Sequence, residues 1–205
     1  MAVVSQSLDT LLAERTVWPA GRGARQIDAG QPTGHAALDA VLPTGGWPPR
    51  ALTELLLPAD GVGEISLLFP ALARITAAGG RVVLIAPPCI PYAPAWQAAG
   101  VRLDVLDVVA AAPDEALWAF EQCLRSGACA AVLGWPDTGD ARLMRRLQVA
   151  ADSGDCHAFA LRDRRHAANA SPAALRLEFL PEAQAWQVRK CRGGRIPSQP
   201  LRLAS

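Results

Sequence analysis

Residues 33–75 read TGHAALDAVLPTGGWPPRALTELLLPADGVGEISLLFPALARI. In order they give a Gly-rich turn, a short apolar strand (51–57), a loop (58–63) and an apolar helix. That is the layout of a phosphate-binding loop at the end of a parallel strand, where backbone amides and a helix N-terminus face an anion. The loop itself reads PADGVGEIS (58–66), with Glu64 where a nucleotide-binding loop carries its lysine. A carboxylate there repels the phosphates that a lysine attracts. The whole sequence has one lysine, Lys190, so no lysine-bearing phosphate loop can be drawn anywhere in it.

Working outward, 205 residues suit one domain with a sizeable core, and 51% hydrophobic residues argue against disorder except at the ends. The expected domain limits are an N-terminal helix and linker (1–30), an α/β domain (31–190) and a basic flexible tail (191–205). The five cysteines, at positions 89, 123, 129, 156 and 191, form no CxxC pair. Odd number and irregular spacing point to free thiols in a reducing cytoplasm and to no zinc site. The N-terminal MAVVSQSLDTLLAERT carries acids early and lacks a basic n-region with a long apolar run, unlike a signal peptide. No segment reaches the length of a membrane span.

The net charge of +1 hides an asymmetry. Residues 1–140 hold 8 Arg and 14 acids, a net −6, whereas residues 141–205 hold 12 basic and 5 acidic residues, a net +7. The C-terminal third therefore suits an acidic partner or nucleic acid, or is a solvated helix face followed by a loose tail.

Leu8, Leu11 and Leu12 at helical spacing predict a short amphipathic helix over 5–15, followed by a Gly/Pro-rich linker. Such a helix docks on its own sheet or on a neighbour. Residues 81–86 (RVVLIA) form a continuous apolar run, as for a strand covered on both faces, and end in PPCIPYAP, which forbids a regular helix. Another strand and turn are expected over 101–109, a helix over 113–126 opening on Pro-Asp-Glu, and a buried strand over 129–135. A helix over 140–153 should turn Leu143, Leu147 and Ala150 or Ala151 inward and Arg142, Arg145 and Arg146 outward. The next strand spans 157–161, and RDRRHAANASP reads as a polar, mobile loop. Leu175, Leu177 and Phe179 alternate with Arg176, Glu178 and Leu180, the period of a half-exposed strand, with a hairpin partner around Trp186 and Val188.

The central stretch resembles the RecA family, in which a TG-x-x-x-LD segment leads through GG-x-P to the strand before the phosphate loop. Here these are Thr33, Gly34, Leu38, Asp39, Gly45, Gly46 and Pro48. The chain is more closely similar to ImuA, a RecA-like accessory protein of bacterial damage-inducible translesion synthesis, and to SulA-like proteins. GGWPPRALTELL, GVGEISLLFPALARI, IAPPCIPYAPAW, ALWAFEQCLRSGACAAVLGW, LMRRLQVAA, SPAALRL and KCRGGR carry the resemblance, spread over roughly residues 17 to 203. It implies an α/β fold: a RecA-like core whose mostly parallel central sheet is flanked by helices, with a C-terminal antiparallel extension and a degenerate P-loop.

Against that pattern three catalytic positions are lost. Glu64 replaces the loop lysine, Pro87 and Pro88 stand near the place of the water-activating glutamate, and Gly134 and Trp135 end the strand that should finish with a magnesium-holding aspartate. Asp137 and Asp140, just beyond, do not restore a site lacking a lysine and its following Ser/Thr. The expectation is thus no enzyme, no metal and no cofactor, with Pro58, Asp60, Gly61, Gly63, Glu64, Pro88 and Gly134 as a degenerate nucleotide loop. His35, His157 and His166 are scattered, and no Ser/His/Asp or metal cluster follows from their spacing.

Trp47 and Trp135 are read as lying at turns near the sheet edge where a nucleotide would sit. They either fill the empty pocket or present an apolar patch to a partner. With Leu8, Leu11, Leu12, Arg145 and Arg146 they make up the candidate partner-binding set. Arg189, Lys190, Arg192, Arg195 and Arg202 are the candidate tail contacts, suited to weak, salt-sensitive, sequence-independent DNA binding or to an acidic protein surface. Resemblance to ImuA implies an ImuB-like inactive Y-family polymerase, an error-prone replicative-type polymerase and RecA as partners. The competing reading is a SulA-like division inhibitor that binds the tubulin-like protein FtsZ.

Overall fold

Strand β1 (Leu52–Leu57) is buried along its whole length, which a leucine-rich strand tolerates only where both faces of its sheet are covered. The computed structural model describes residues 29–203. Leu8, Leu11 and Leu12, with nearly all of the expected N-terminal helix and linker, lie outside the described residues. The other strands are β2 (Val82–Ile85), β3 (Leu106–Val109), β4 (Ala131–Gly134), β5 (His157–Asp163), β6 (Leu175–Leu180) and β7 (Ala185–Cys191). They form one seven-stranded sheet in the order β3-β2-β4-β5-β1-β6-β7. Every pairing is parallel except β6 with β7. The mostly parallel α/β sheet with a C-terminal antiparallel extension is the expected architecture.

Two apolar layers follow from strand alternation. Leu55, Leu57, Leu84, Leu133, Phe159 and Leu177 point to one face, under α1 (Ala36–Asp39), α2 (Glu64–Ala77) and α3 (Ala93–Ala98). Leu52, Val83, Val132, Ala158 and Ala160 point to the other, under α4 (Pro113–Arg125) and α5 (Ala141–Ser153). Helix α5 buries Met144, Leu147, Ala150 and Ala151, leaving Leu143 only half-buried.

The TG-x-x-x-LD segment has a structural role. The Asp39 carboxylate accepts the Thr33 N–H at 2.9 Å, and the Thr33 hydroxyl accepts the His35 N–H at 3.0 Å. Gly34 sits at φ +90°, where an added Cβ would lie 2.3 Å from Pro70 in α2. Only glycine lets the strap cross that helix so closely.

Three expectations need correction. Strand β6 is buried on both faces rather than half-exposed, because residues 164–172 fold over its polar side and its charges are paired beneath them. That loop, expected to be mobile, contains a 3-10 turn (Arg164–His166) and is tied to Arg176 through three of its carbonyls. The expected flexible tail is folded back as well: Trp186 and Leu201 exchange two 2.8 Å backbone hydrogen bonds. Leu201 and Leu203 pack on the core there. The tail's prolines and glycines turn the chain, and its leucines then have an apolar place to go.

Candidate functional site at the carboxyl edge of the sheet

In open α/β sheets ligands sit outside the carboxyl ends of the strands, so the loop after β1 is the place to begin. Gly61 and Gly63 both adopt positive φ, and Gly63 caps α2. The turn is therefore built as a phosphate loop would be, but its own side chain occupies it. Glu64 is 4% exposed, its Oε1 accepts the Gly61 N–H at 3.2 Å, and its Oε2 is buried with no hydrogen-bond partner. An acid in the first turn is favoured by the helix dipole, which is the interaction an incoming phosphate would use. Pro58 and Asp60 complete the loop, with Asp60 exposed.

At the end of β4, packing fixes Gly134. A Cβ there would lie 2.6 Å from Cδ1 of Phe120, a ring in α4 that is 1% exposed. The phenyl ring fills the space a side chain at this position would need. Trp135 follows, half-buried, its indole nitrogen enclosed without a partner. Ala86, just past β2, lies in the left-handed region at φ +44°, an uncommon conformation for alanine. It aims the proline-rich segment 87–94 across the strand ends.

Between these features lies a groove of about 1110 Å³, lined by Pro88, Ile90, Trp96, Val108, Leu117 and Trp135 among others. Among the described residues its only charged lining residues are Asp60, Asp114 and Asp137, with no Lys, Arg or His. Asp137 is held below the usual carboxylate range, first by the Arg165 guanidinium and then by His166.

On the neighbouring stretch of the same edge the sheet carries charge instead of apolar surface. Glu54 of β1 is 0% exposed and accepts from Arg162 Nη1 at 3.1 Å and Arg176 Nε at 3.0 Å. Ser171 donates to its other oxygen. Arg176 lies beside Glu54 in register and donates to the carbonyls of His166, Ala167 and Asn169 at 2.9–3.1 Å. Arg162 donates to the Thr138 carbonyl, while its Nε is buried without a partner. His166 is buried between Asp137 and Asn169, at 3.2 Å from each. Sequence reading missed this network. Glu54, inside an otherwise apolar strand, was the signal that could have found it, since a charge there has to be paired.

The remaining predicted residues scatter. Trp47 is not at the nucleotide edge: it precedes β1, at the opposite end of the sheet, and is fully buried edge-on against Phe159 with ring centroids 5.3 Å apart. A large apolar side chain next to Pro48 was better used as core than as surface. Arg145 is exposed, whereas Arg146 is paired with Glu121. Of the tail cations, Arg189 pairs with Glu178, Lys190 donates to the Ser171 carbonyl at 2.6 Å, and Arg192 donates to the Pro172 carbonyl at 2.8 Å. Burial lowers the Lys190 pKa. Among the described residues, the tail cations Arg195 and Arg202 are exposed and make neither an ion pair nor a side-chain hydrogen bond. His35 and His157 hydrogen-bond to the carbonyls of Leu67 and Pro48. Among the described residues no cluster of His, Cys, Asp and Glu could hold a metal ion, and no helix is long and apolar enough to cross a membrane.

The chain is 31% identical over 153 residues to Protein RecA of Rhodococcus jostii (strain RHA1), matching 73% of this chain and 42% of that protein. The chain thus spans less than half the length of the curated relative it matches. It is RecA-like. SulA from Pseudomonas aeruginosa superposes at a TM-score of 0.46 and 23% identity, covering 54% of this chain and 96% of that one. No protein-family model matches.

Proposed function

We propose that this chain is a non-catalytic accessory protein of the DNA-damage response, of the ImuA type, acting in the cytoplasm through protein contacts on a RecA-like sheet. The observation that carries the reading is Glu64: the loop that would cradle phosphates is closed by the chain's own carboxylate on the Gly61 amide. The Phe120 ring against Gly134 supports it, because the strand end has no room for a magnesium-holding acid. The similarity to RecA supports a role beside that protein's pathway. Partners consistent with this role are an ImuB-like inactive Y-family polymerase, an error-prone replicative-type polymerase and RecA itself.

The test is a pull-down with tagged full-length chain from damage-treated cells, paired with an assay of Mg-ATP turnover. The proposal expects a polymerase-like partner or RecA to be recovered and no turnover above the blank. Arg195→Glu with Arg202→Glu tests whether the exposed cations contribute, by DNA or by protein contact, without removing the docked Leu201. Sustained ATP hydrolysis would overturn the non-catalytic reading. Recovery of FtsZ, with filamentous cells on overexpression, would replace it by the SulA-like one.

A further inference from the structure

We infer that the apolar groove over the ends of β2, β3 and β4 is the docking site for an apolar segment of a partner protein whose anchor residues are flanked by Lys or Arg. The inference rests on the accessory-protein reading and gives it a surface. Three observations lead to it.

The first is exposure. Ile90 is 94%, Tyr92 72% and Val108 50% exposed, and Ile90 and Val108 line one groove with Trp96, Leu117 and Trp135. Single exposed apolar residues are ordinary, but a contiguous set around a concavity marks a binding surface. About 1110 Å³ lies just above the range for small-ligand clefts, roughly 300–1,000 Å³, and suits a run of several side chains.

The second is rigidity. Pro87, Pro88, Pro91 and Pro94 restrict the backbone of the upper wall. Beneath it Trp96 is 5% exposed and packs edge-on against Phe69, centroids 5.2 Å apart. A wall already ordered loses little entropy when a segment binds.

The third is charge, and it selects the occupant. All three charged residues lining the groove among the described residues are acids, and Asp137 is already engaged by Arg165 and His166. Asp60 and Asp114 remain at the rim, and neither forms an ion pair among the described residues. An acidic segment would be repelled there, whereas basic residues beside apolar anchors meet complementary charge.

The experiment uses the full chain and the polymerase-like partner. Overlapping short peptides covering that partner's sequence are arrayed and probed with the wild-type chain, and the intact partner is then titrated against wild type, Ile90→Glu, Ile90→Val and the double variant Asp60→Lys/Asp114→Lys. Peptides with apolar anchors beside Lys or Arg should bind. Ile90→Glu should weaken binding of the intact partner about tenfold or more, with Ile90→Val near wild type. The charge-reversed double variant should lose a few-fold at low salt and less at high salt. Ile90 is exposed, so the thermal transition of Ile90→Glu should match wild type, which separates lost binding from lost folding.

The inference is overturned if the partner binds wild type, Ile90→Glu and the Asp60→Lys/Asp114→Lys double variant equally, or if the bound peptides are acidic. It is also overturned if Ile90→Glu abolishes self-association in sedimentation while partner binding persists, because the groove then belongs to a second copy. If wild type does not bind the partner at all, the accessory reading itself fails and the groove assignment falls with it.

Discussion

The two halves of the sheet's carboxyl edge solve the same problem in opposite ways. Over β1, β5 and β6 the chain buries charge: Glu54 is paired with Arg162 and Arg176 beneath a loop whose carbonyls accept from Arg176 and whose Ser171 donates to Glu54. Over β2, β3 and β4 it leaves apolar surface bare, with Ile90 and Val108 in solvent beside a groove. Helices α4 and α5 cover the second face of β2, β4 and β5, but loop 164–172 is what closes over β6. A polar loop demands charged residues beneath it, whereas the prolines after β2 hold side chains that nothing among the described residues covers. One half is locked and the other left open, the contrast on which the proposed docking site rests.

The largest test of that contrast is Glu54→Ala. Removing one partner of a buried ion pair strands the others, at a cost of about 3–5 kcal/mol. Urea unfolding should show it, and a loss under about 1 kcal/mol would mean the network is no lock. Next is Gly134→Asp, which drives a side chain into Phe120. Overpacking of this kind costs about 1–3 kcal/mol, read as a lowered Tm; an unchanged Tm would show that the Phe120 ring moves aside freely.

A smaller effect is pH-dependent. Burial lowers the His157 pKa, only partly offset by its hydrogen bond to the Pro48 carbonyl. The unfolded chain therefore takes up this proton first as pH falls. Stability is full above about pH 6.5 and declines as pH drops through the window down to the folded value. The urea midpoint should follow that slope, and His157→Gln should flatten it; an equal slope in the variant would assign the effect elsewhere. Smallest is the effect on the open half: Ile90→Glu and Tyr92→Ser should shift stability by no more than about 0.5 kcal/mol. A larger loss would mean these side chains support the fold rather than serve a partner.

Much of the fold was legible in the sequence because its signals are local. Apolar runs such as 82–85 and 131–134 and the Pro-Asp-Glu start of α4 announce their elements without reference to distant residues. The substitution of Glu64 in the loop was legible for the same reason. What escaped depends on long-range closure. Arg176 and Glu178 alternate as an exposed face would, and only the loop folded over them makes that face interior. Trp47 sits in a turn, and turn position gave no hint that it would be packed against Phe159. The tail's composition spoke for mobility, but two leucines among its prolines and glycines are enough to bring it back to Trp186. The groove was half visible: PPCIPYAP and Trp135 were noted separately, and the sheet order that joins them was not in the sequence pattern.

The most direct test of the account is amide hydrogen exchange of the free chain and of its complex with the polymerase-like partner. The account predicts slow exchange at the Ala167 and Asn169 amides, bonded within the locked loop, in both states, and new protection on binding confined to residues 86–93 and 108–117. Protection that appears instead over residues 163–172, with the groove segments unchanged, would contradict it.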